Sequence, residues 1–412
     1  MTDAAAPRSL NVLICGGGIA GPALGYWLAR GGHRVVIAER FPSLRATGAQ
    51  VDLRGQGIEA ARRMGLLDAI RGVLVDEAGV SFVNSQGRAK ATIMANTSGK
   101  GAQSLTSEYE IMRGDMVRIL HAATRDSVDY VFGKSVDRFE QDNEKVLAHF
   151  SDGTSGVFDL LVAADGQGSR IRKAMLPAGM PEPYRRMGIH MSYWFIPRTI
   201  ADEGNIRNTY LASGGRMIMR RSHSPTETQV YFVLREHARQ ASDVHRAPVE
   251  DQKRFWAERF RDAGWQTDRF IDGMMTADFF YSQEVVQVQT DSWSDGRVVL
   301  VGDAAHCASP FSGMGVSGAL VGAYVLAGEI NRNPQNLKLA FTNYDKILRP
   351  FVDEIQGAVK PHLLRMGMPK TKLGVQAILL ATSVACALRI PDLVARFSGK
   401  DRGGNWRLPD LA

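Results

Sequence analysis

The chain has 412 residues, 44% hydrophobic and 23% charged, which is enough apolar material for two packed domains. Its net charge is +7 and its pI is near 9.3, but Lys and Arg are dispersed, which argues against a nucleic-acid-binding run. Cys15, Cys307 and Cys386 have neither metal-site nor redox-motif spacing. We therefore expect buried free thiols, no metal and a reducing, cytoplasmic location.

The first ten residues lack the basic and apolar regions of a secretory signal. One apolar stretch, 375–390, contains Gln376 and Arg389 and is shorter than the ~20 residues that a bilayer span requires. It predicts a helix lying on the body of the protein, with peripheral membrane contact as an alternative. We expect no stable membrane association and no nucleic-acid partner, and both monomer and homodimer stay open.

Hydrophobic periodicity divides the chain into strands and helices. Apolar or alternating runs that predict strands lie at 11–15, 35–38, 130–150, 160–164 and 298–301. Alternating runs around the turn residues 84–87 predict a hairpin that starts at Gly79, and a further turn is predicted at 151–154. Helical patterns lie at 19–30, 60–71, 113–123 and 249–261.

From about residue 181 the pattern changes to alternating apolar and polar runs, which predict an antiparallel sheet with one wet face and one covered face. The predicted fold class is α/β, with a Rossmann-type domain split in sequence around an inserted, mainly antiparallel substrate domain. The predicted segments are 1–180 and 293–365 for the Rossmann-type domain, 181–292 for the insert and 366–412 for a C-terminal helical segment.

A glycine-rich loop follows the first strand, with Gly16, Gly18 and Gly21 in the pattern G-x-G-x-x-G. The first glycine allows a tight turn, the second allows the backbone to approach a pyrophosphate, and the third allows helix and strand to pack closely. Glu39 ends the second strand, about 20 residues further on, where a carboxylate accepts hydrogen bonds from a ribose. The strand–helix–strand setting predicts a dinucleotide site but leaves NAD and FAD open.

Two later motifs favour FAD. The segment 159–172 contains a buried strand that ends at Asp165 and Gly166, followed by a helix start. The segment 296–316 contains a strand that ends at Gly302 and Asp303, followed by a second glycine-rich helix start. Ligands of α/β sheets bind at such carboxyl ends of strands.

These three motifs in this order resemble the class A flavoprotein monooxygenases, the p-hydroxybenzoate hydroxylase family. Segments 48–54 and 112–115 and the Asp303 motif are most similar to the tetracycline-inactivating monooxygenases, and the resemblance covers about residues 10–365. It implies one FAD, NADPH or NADH as a transient reductant, O2, and a small organic substrate. It also implies oxygenation through a flavin C4a-hydroperoxide, so that no protein side chain is a catalytic nucleophile.

Carried over by position, the resemblance implies several groups of cofactor contacts. The pyrophosphate lies at the first loop and the adenosine at Glu39 and Arg40, Arg113 lies along the cofactor, and Asp303 binds the ribityl chain. The flavin ring lies near Gly315 and Val316. The full set is Gly16, Gly18, Ile19, Ala20, Gly21, Glu39, Arg40, Leu53, Arg113, Asp165, Gly302, Asp303, Pro310, Gly313, Gly315 and Val316.

The chain departs from the family at Ser317, where Asn is frequent, and at Gly322 and Ala323, where an Asp-Ala pair is frequent. His306 is left out of the site because this position is usually structural in the family.

The substrate candidates are Arg54, Arg216, Met219 and Phe311. Arg216 is equally consistent with a polar clamp on an acidic or phenolic substrate and with a solvated strand arginine.

Two alternatives stay open at this point. The segment 192–197 partly matches the W-x-W-x-I-P pattern of flavin-dependent halogenases, although its first Trp is missing. A non-catalytic flavin- or ligand-binding protein is the other. We expect a hydroxylase or other oxygenase of an aromatic or polycyclic molecule, as in secondary metabolism or antibiotic modification.

Overall fold

The computed structural model describes residues 9–95, 108–202, 204–236, 243–390 and 406–411. The described strands are β1 Asn11–Cys15, β2 Arg34–Glu39, β3 Gln50–Leu53, β4 Gly79–Val83, β5 Ala89–Met94, β6 Tyr109–Met112, β7 Asp129–Phe132, β8 Val136–Gln141, β9 Val146–Phe150, β10 Ser155–Phe158, β11 Leu160–Ala163, β12 Tyr184–Pro197, β13 Ile206–Ala212, β14 Arg216–Ser222, β15 Glu227–Arg235, β16 Phe280–Val288, β17 Ser294–Asp295 and β18 Val298–Leu300.

The described α-helices are α1 Ala20–Arg30, α2 Gln56–Arg63, α3 Leu67–Arg71, α4 Arg113–Ala122, α5 Arg170–Met175, α6 Val249–Phe260, α7 Thr267–Thr276, α8 Asp303–His306, α9 Gly315–Arg332, α10 Leu337–Gly357, α11 Pro361–Met366 and α12 Lys372–Ala387. Two short 3-10 turns lie at Ile200–Asp202 and Pro310–Ser312.

The first core is a six-stranded sheet in the order β17-β18-β11-β1-β2-β7. All pairings except that of β17 are parallel. Leu161 on β11 pairs with Val298 on β18, so strands from the two segments of the predicted split domain are neighbours. These strands are apolar on both faces because both are covered: α1 packs on the sheet, and Val146, Ala148 and Phe158 of the separate three-stranded sheet β10-β9-β8 belong to the same core. The split α/β fold predicted from the sequence is confirmed.

The helix predicted over 60–71 is wrong as one element. The chain forms α2 and α3 instead, and Gly65 between them adopts a φ of +73°. A left-handed residue cannot continue a right-handed helix, and glycine adopts this conformation without a Cβ clash. Helical composition on both sides of Gly65 concealed the interruption.

The second sheet has seven strands in the order β16-β12-β15-β14-β13-β4-β5. The predicted hairpin exists as β4 and β5, but β4 pairs in parallel with β13 in this sheet. Residues 79–94, assigned by the sequence to the first part of the Rossmann-type domain, therefore belong structurally to the substrate sheet. The prediction was wrong here because a hairpin signal is local and does not report which sheet the hairpin joins.

The expectation of one wet face on this sheet is also wrong. On one face, Trp194, Ile218 and Phe232 pack under α6 and α7, and the second of these helices was not predicted. On the other face, Ile189, Tyr193, Val233 and neighbouring side chains form a separate apolar cluster. Both faces of the central strands are covered, and so β12 and β15 are buried along most of their length.

The C-terminal region contributes α12, as predicted, and this helix packs beside β5, where Ser383 Oγ donates to the Lys90 carbonyl at 2.8 Å. The residues 406–411 return to the first core, where Leu408 and Leu411 are buried. No described helix is both long and apolar enough to cross a membrane. Of the three free cysteines, Cys15 and Cys307 are buried as predicted, and Cys386 on α12 is half-buried.

A buried ion cluster joins the seven-stranded sheet to β6, which pairs with β3 in a separate two-stranded sheet. Arg221 on β14 donates to Glu77 at 2.8 Å and also to Glu110 on β6, the strand that leads directly into α4. All three side chains are nearly inaccessible to solvent. Burial by itself lowers the pKa of Arg221, but Glu110 and Glu77 outweigh it and raise this pKa. The cluster fixes the substrate sheet against the segments around residues 50–54 and 109–113.

We predict that Arg221→Leu lowers the free energy of unfolding by about 3–5 kcal/mol, because two buried carboxylates lose the cation that is hydrogen-bonded to both and keep, among the described residues, only Arg207, 3.9 Å from Glu77. Urea denaturation measures this loss. Arg34→Leu is the matched control, since its pair with Asp129 is exposed at both ends and is worth at most about 1 kcal/mol. Equal effects of the two substitutions would contradict the role of the cluster.

Candidate active site

Four adjacent parallel strands end at one edge of the six-stranded sheet. Gly16 follows β1, Glu39 ends β2, Asp165 follows β11 and Asp303 follows β18. Because parallel strands share a direction, their carboxyl ends meet at the same edge. The fold therefore brings the three sequence motifs and Glu39 into one cleft.

The glycine loop at this edge is too tight for larger residues. A Cβ on Gly16, at φ +118°, would lie 2.4 Å from the Ala164 carbonyl oxygen, and one on Gly21 would lie 2.0 Å from the Gly16 oxygen. Gly302 belongs to the same packing, since its Cβ would lie 2.7 Å from the Cβ of Ala20. These three glycines bring the third motif against the start of α1.

Glu39 holds the glycine loop from the neighbouring strand. Its carboxylate accepts from the Gly17 backbone N–H at 2.7 Å and from the Phe41 N–H at 3.0 Å. Arg40 beside it is exposed, with its guanidinium 5.1 Å from the Phe41 ring centroid. An acceptor and an exposed cation therefore lie at the end of β2, where the family resemblance implies the adenosine half of the cofactor.

Asp165 and Asp303 are accessible to solvent in the cleft although many protein atoms surround them. Partial burial raises the pKa of both carboxyls, and the hydrogen bond from Cys307 and the positive charge of Arg113 oppose this at Asp303. The Oδ2 atom of Asp165 accepts from the Arg170 N–H at 2.9 Å. Asp303 is thus an acceptor that faces the cleft with a cation nearby.

Arg113 connects the parts of the site. Its Nη2 lies 3.4 Å from the position of a Cβ on Gly18, and its Nη1 donates to the Thr47 carbonyl at 2.9 Å. Burial and the like charge of Arg45 lower its pKa, while Asp303 and the tyrosines Tyr193 and Tyr281 oppose this shift. Arg113 therefore lies between the glycine loop, Asp303 and the tyrosines of the substrate sheet.

The loop before α9 borders open space. Gly313 has a φ of +64°, and Pro310 and Gly315 are exposed, whereas Val316 is buried. A Cβ on Gly315 would meet no protein atom within 4 Å. The start of an 18-residue helix, with its free N–H groups, thus faces an unfilled volume.

Ser317, where the family often has Asn, makes a local connection. Its Oγ accepts from the Arg54 N–H at 2.9 Å and donates to the Arg54 carbonyl at 3.0 Å. The small side chain also permits close contact with Gly57, whose Cβ would lie 2.5 Å from that of Ser317. The departure therefore joins the start of α9 to the loop after β3.

Arg54 lies beside the loop that precedes α9. Its Nη2 is 3.2 Å from the Asp52 carboxylate, and its Nε is 3.3 Å from the position of a Cβ on Gly313. Burial raises the pKa of Asp52, whereas Arg54 lowers it. The neighbouring Leu53 has a fully buried side chain in the first core, which leaves its backbone as the part that can meet a ligand. Arg54 thus stays a site candidate.

The face of the seven-stranded sheet that meets this site is rich in Met and aromatic side chains. Met219 and Phe311, both predicted, belong to it and are half-buried. Tyr193, Tyr281 and Phe279 join them, with the Tyr193 ring 5.3 Å from Tyr281 and 5.6 Å from Phe279 between centroids. These three were missed, because alternation along β12 and β16 does not say which face of the sheet meets the cofactor.

Arg216 does not join the site. Its guanidinium pairs with Asp262 and donates to the Arg259 carbonyl at 2.8 Å on the helix-covered side. With Arg235 and Lys370 it lines a separate cavity of about 540 Å³ that none of the cofactor-loop residues lines. Side chains alternate along a strand, so Arg216 and Met219, three positions apart, point to opposite faces.

His306 is structural. It is 2% exposed, its ring packs at 5.3 Å on Trp293, and a Cβ on Gly322 would lie 3.0 Å from its Nε2. Burial lowers its pKa to about 4, which makes it a weak base. Gly322, the second departure from the family, is the residue that leaves room for this ring.

The donor set fits FAD. A glycine loop at a helix start accommodates a pyrophosphate, Glu39 and Asp303 offer acceptors to hydroxyl groups, and the open volume at Gly315 gives room for a flat ring. No described cluster of His, Cys, Asp or Glu has the arrangement of a metal site.

The fold and the site define an α/β protein that binds FAD across the carboxyl edge of a parallel sheet. The chain belongs to the FAD-binding domain family, whose model matches residues 9–332. It is an FAD-dependent monooxygenase, an oxidoreductase that acts on a small molecule with O2, as the relatives below support.

The FAD-dependent monooxygenase asL4 of Sarocladium schorii is 38% identical over 97% of this chain and 98% of its own length. The flavin-dependent monooxygenase eupH of Phoma sp is 39% identical over 90% of each chain. The crystal structure of the tetracycline destructase Tet(51) superposes with a TM-score of 0.79 and 29% identity, covering 99% of this chain and 100% of that one. The resemblance inferred from the motifs is confirmed.

We predict that Gly315→Ala weakens FAD binding about tenfold or more without destabilising the apoprotein. The new methyl group meets no protein atom but enters the volume assigned to the flavin. Titration of the apoprotein with FAD, followed by flavin fluorescence, measures the change. Gly357→Ala is the matched control because its Cβ also meets no protein atom within 4 Å, at the end of α10. Unchanged affinity in Gly315→Ala would contradict the assignment.

Proposed function

We propose that the protein is an NAD(P)H-consuming monooxygenase that hydroxylates or otherwise oxygenates an aromatic or polycyclic organic molecule. The observation that supports this most is the Met- and aromatic-rich sheet face that adjoins Arg113 and Asp303. Planar apolar ligands are bound by such faces with a few polar groups that orient them. An antibiotic or another polyketide-like molecule fits this description.

The overall reaction consumes one NAD(P)H, one proton and one O2, inserts one oxygen atom into the substrate and releases the other as water. Reduced FAD supplies the two electrons that activate O2. The residues proposed to hold the cofactor are the glycine loop, Glu39, Arg113, Asp303 and the backbone at Gly315.

The protein's own contribution is to bind and orient the substrate. Met217 and Met219 lie on one strand of the face, and Phe311 brings the cofactor loop against them. Thioether and aromatic groups adapt to the outline of a flat ring system and bind it without directional bonds. Oxygen transfer requires the reacting carbon to be held close to the flavin, which this juxtaposition favours.

Tyrosine hydroxyls supply the polar groups. Burial raises the pKa of Tyr193 and of Tyr281, and it raises the pKa of Tyr231 to about 12. All three phenols are therefore protonated donors at neutral pH. The Tyr281 hydroxyl already donates to Gln283 Oε1 at 3.0 Å and that of Tyr231 to Gln229 Oε1 at 2.8 Å. Within the described residues the Tyr193 hydroxyl has no such partner, so we assign it to a substrate oxygen.

The segment around α11 limits the access of water. Leu364 packs on the sheet face and Met368 is 4% exposed there, so both close the substrate face from outside. Excluding water favours oxygen transfer over the loss of activated oxygen as peroxide.

The halogenase alternative finds no support in the geometry. In the segment 192–197, Trp194 points to the helix side, fully buried, with its ring 4.8 Å from Phe232 between centroids. It cannot line the cleft. The named relatives are monooxygenases, which also argues against a non-catalytic carrier.

The direct test uses the FAD-loaded protein and a panel of phenols, anthraquinones and tetracyclines. We expect a matching substrate to accelerate NADPH or NADH oxidation and to yield a product heavier by one oxygen atom, with hydrogen peroxide quantified to correct for uncoupling. Reduction of the flavin without any oxygenated product, or a product that forms only with chloride, would contradict the proposal.

We predict that Met219→Lys raises the KM for that substrate at least about tenfold while FAD occupancy is retained, because a charge then faces an apolar ring. Arg216→Gln on the same strand is the matched control and leaves KM unchanged, since Arg216 faces the opposite side. Steady-state kinetics with both variants measures the difference, and an effect of Arg216→Gln as large as that of Met219→Lys would contradict the assigned face.

A further inference from the structure

The surface around α11 and α12 exposes several large apolar side chains. Leu373 is 78% exposed and Leu380 is 67% exposed, although a leucine gains by burial. We define the α12 patch as the seven exposed large apolar side chains of this region, which are Leu363, Met366, Leu373, Leu380, Val384, Leu388 and Ile390.

The patch lies on one side of the helix. Val375 is buried, and Ser383 bonds to β5, so the opposite side of α12 is the packed one. Leu373, Leu380, Val384 and Leu388 recur at helical spacing and face outwards. Isolated exposed leucines are ordinary, but a continuous outward stripe marks a binding surface.

The segment that carries the patch has charges of one sign, although the exposed Asp262, which pairs with Arg216, lies near Lys372. The segment 355–390 contains no Asp or Glu, and its five cations are Lys360, Arg365, Lys370, Lys372 and Arg389. Lys372 begins α12, and Arg389 follows its end. An apolar stripe with cations at both ends has the composition of a helix that lies in the interface of an anionic bilayer.

This charge pattern favours an anionic lipid surface over a second copy of the chain as the partner of the patch. In a symmetric dimer the patch would meet itself, so cations would face cations with no carboxylate in the segment to neutralise them. An anionic lipid surface instead complements the cations and takes up the leucines. The length of α12, 16 residues, suits a helix lying in the plane of the interface rather than one crossing the bilayer.

We propose that the α12 patch docks the protein onto an anionic lipid bilayer. Leucine side chains insert at the level of the lipid headgroups, and Lys372 and Arg389 pair with lipid phosphates. Leu364, on the inner side of α11, packs on the substrate face, so docking sets the bilayer next to the closed side of that face. The attachment is peripheral and reversible, which is the alternative that the sequence left open for residues 375–390.

The test is flotation of the FAD-loaded full chain with vesicles of phosphatidylcholine alone or of phosphatidylcholine mixed with phosphatidylglycerol. We expect binding to the anionic vesicles that high salt weakens, and little binding to the neutral ones. Lys372→Gln with Arg389→Gln should weaken binding about 25-fold, at about fivefold for each cation. Leu373→Ser with Leu380→Ser should weaken it at least about tenfold.

Lys338→Gln with Leu339→Ser is the matched control, because both residues are exposed on α10, away from the patch. It should bind vesicles like the unmodified protein. Absence of binding to anionic vesicles, equal binding to neutral ones, or binding that the patch variants retain would overturn the proposal. So would a dimer, measured by light scattering, that Leu373→Ser with Leu380→Ser converts to monomer.

Activity in solution separates this proposal from the proposed function. With a water-soluble aromatic substrate and no vesicles, both patch variants should turn over like the unmodified protein, because none of the changed residues lies in the cleft. A protein that binds vesicles but oxygenates nothing would refute the proposed function alone, and active protein that ignores anionic vesicles would refute docking alone.

Discussion

The parallel pairing of β2, β1, β11 and β18 is the constraint on which the site depends. Each strand end contributes a residue of the proposed dinucleotide site, yet Glu39 and Asp303 are far apart in the chain. Parallel neighbours cannot be joined by tight turns, so long connections must run between them. The chain uses one of these connections, between β11 and β18, to build most of the substrate sheet. Cofactor site and substrate sheet are therefore consequences of the same topology.

The two sheets must also hold a fixed distance if oxygen is to be transferred between cofactor and substrate. The buried cluster of Arg221, Glu77 and Glu110 does this from the sheet side, since Glu110 lies on the strand that continues into Arg113. Ser317 does it from the helix side by binding both backbone groups of Arg54. Polar groups in such buried positions specify one arrangement because no other arrangement satisfies them.

The substrate face and the α12 patch lie on opposite sides of the segment 363–368, which contains most of α11. Leu364 and Met368 turn inwards to the Met- and aromatic-rich face, whereas Leu363 and Met366 turn outwards. A molecule apolar enough to bind the inner face is also a molecule that partitions into lipid. The proposed function and the proposed docking surface thus concern the same kind of substrate, although each depends on separate residues.

The sequence by itself predicted the cofactor, because the glycine loop indicated a dinucleotide and the Asp165 and Asp303 motifs favoured FAD. Gly21 is dictated by a clash with the nearby Gly16 carbonyl, and Glu39 and Asp303 are recognisable at the ends of apolar runs, whereas Gly16 packs against Ala164, which is distant in the chain. Only the tertiary structure decided which face of the substrate sheet meets the cofactor. Alternation separates Arg216 from Met219 but does not say which of them faces inwards, and so Tyr193 and Tyr281 were missed. The tertiary structure also decided that the hairpin at 79–94 joins the substrate sheet and that both faces of this sheet are covered. Strand pairing and helix packing depend on contacts between residues that are distant in the sequence.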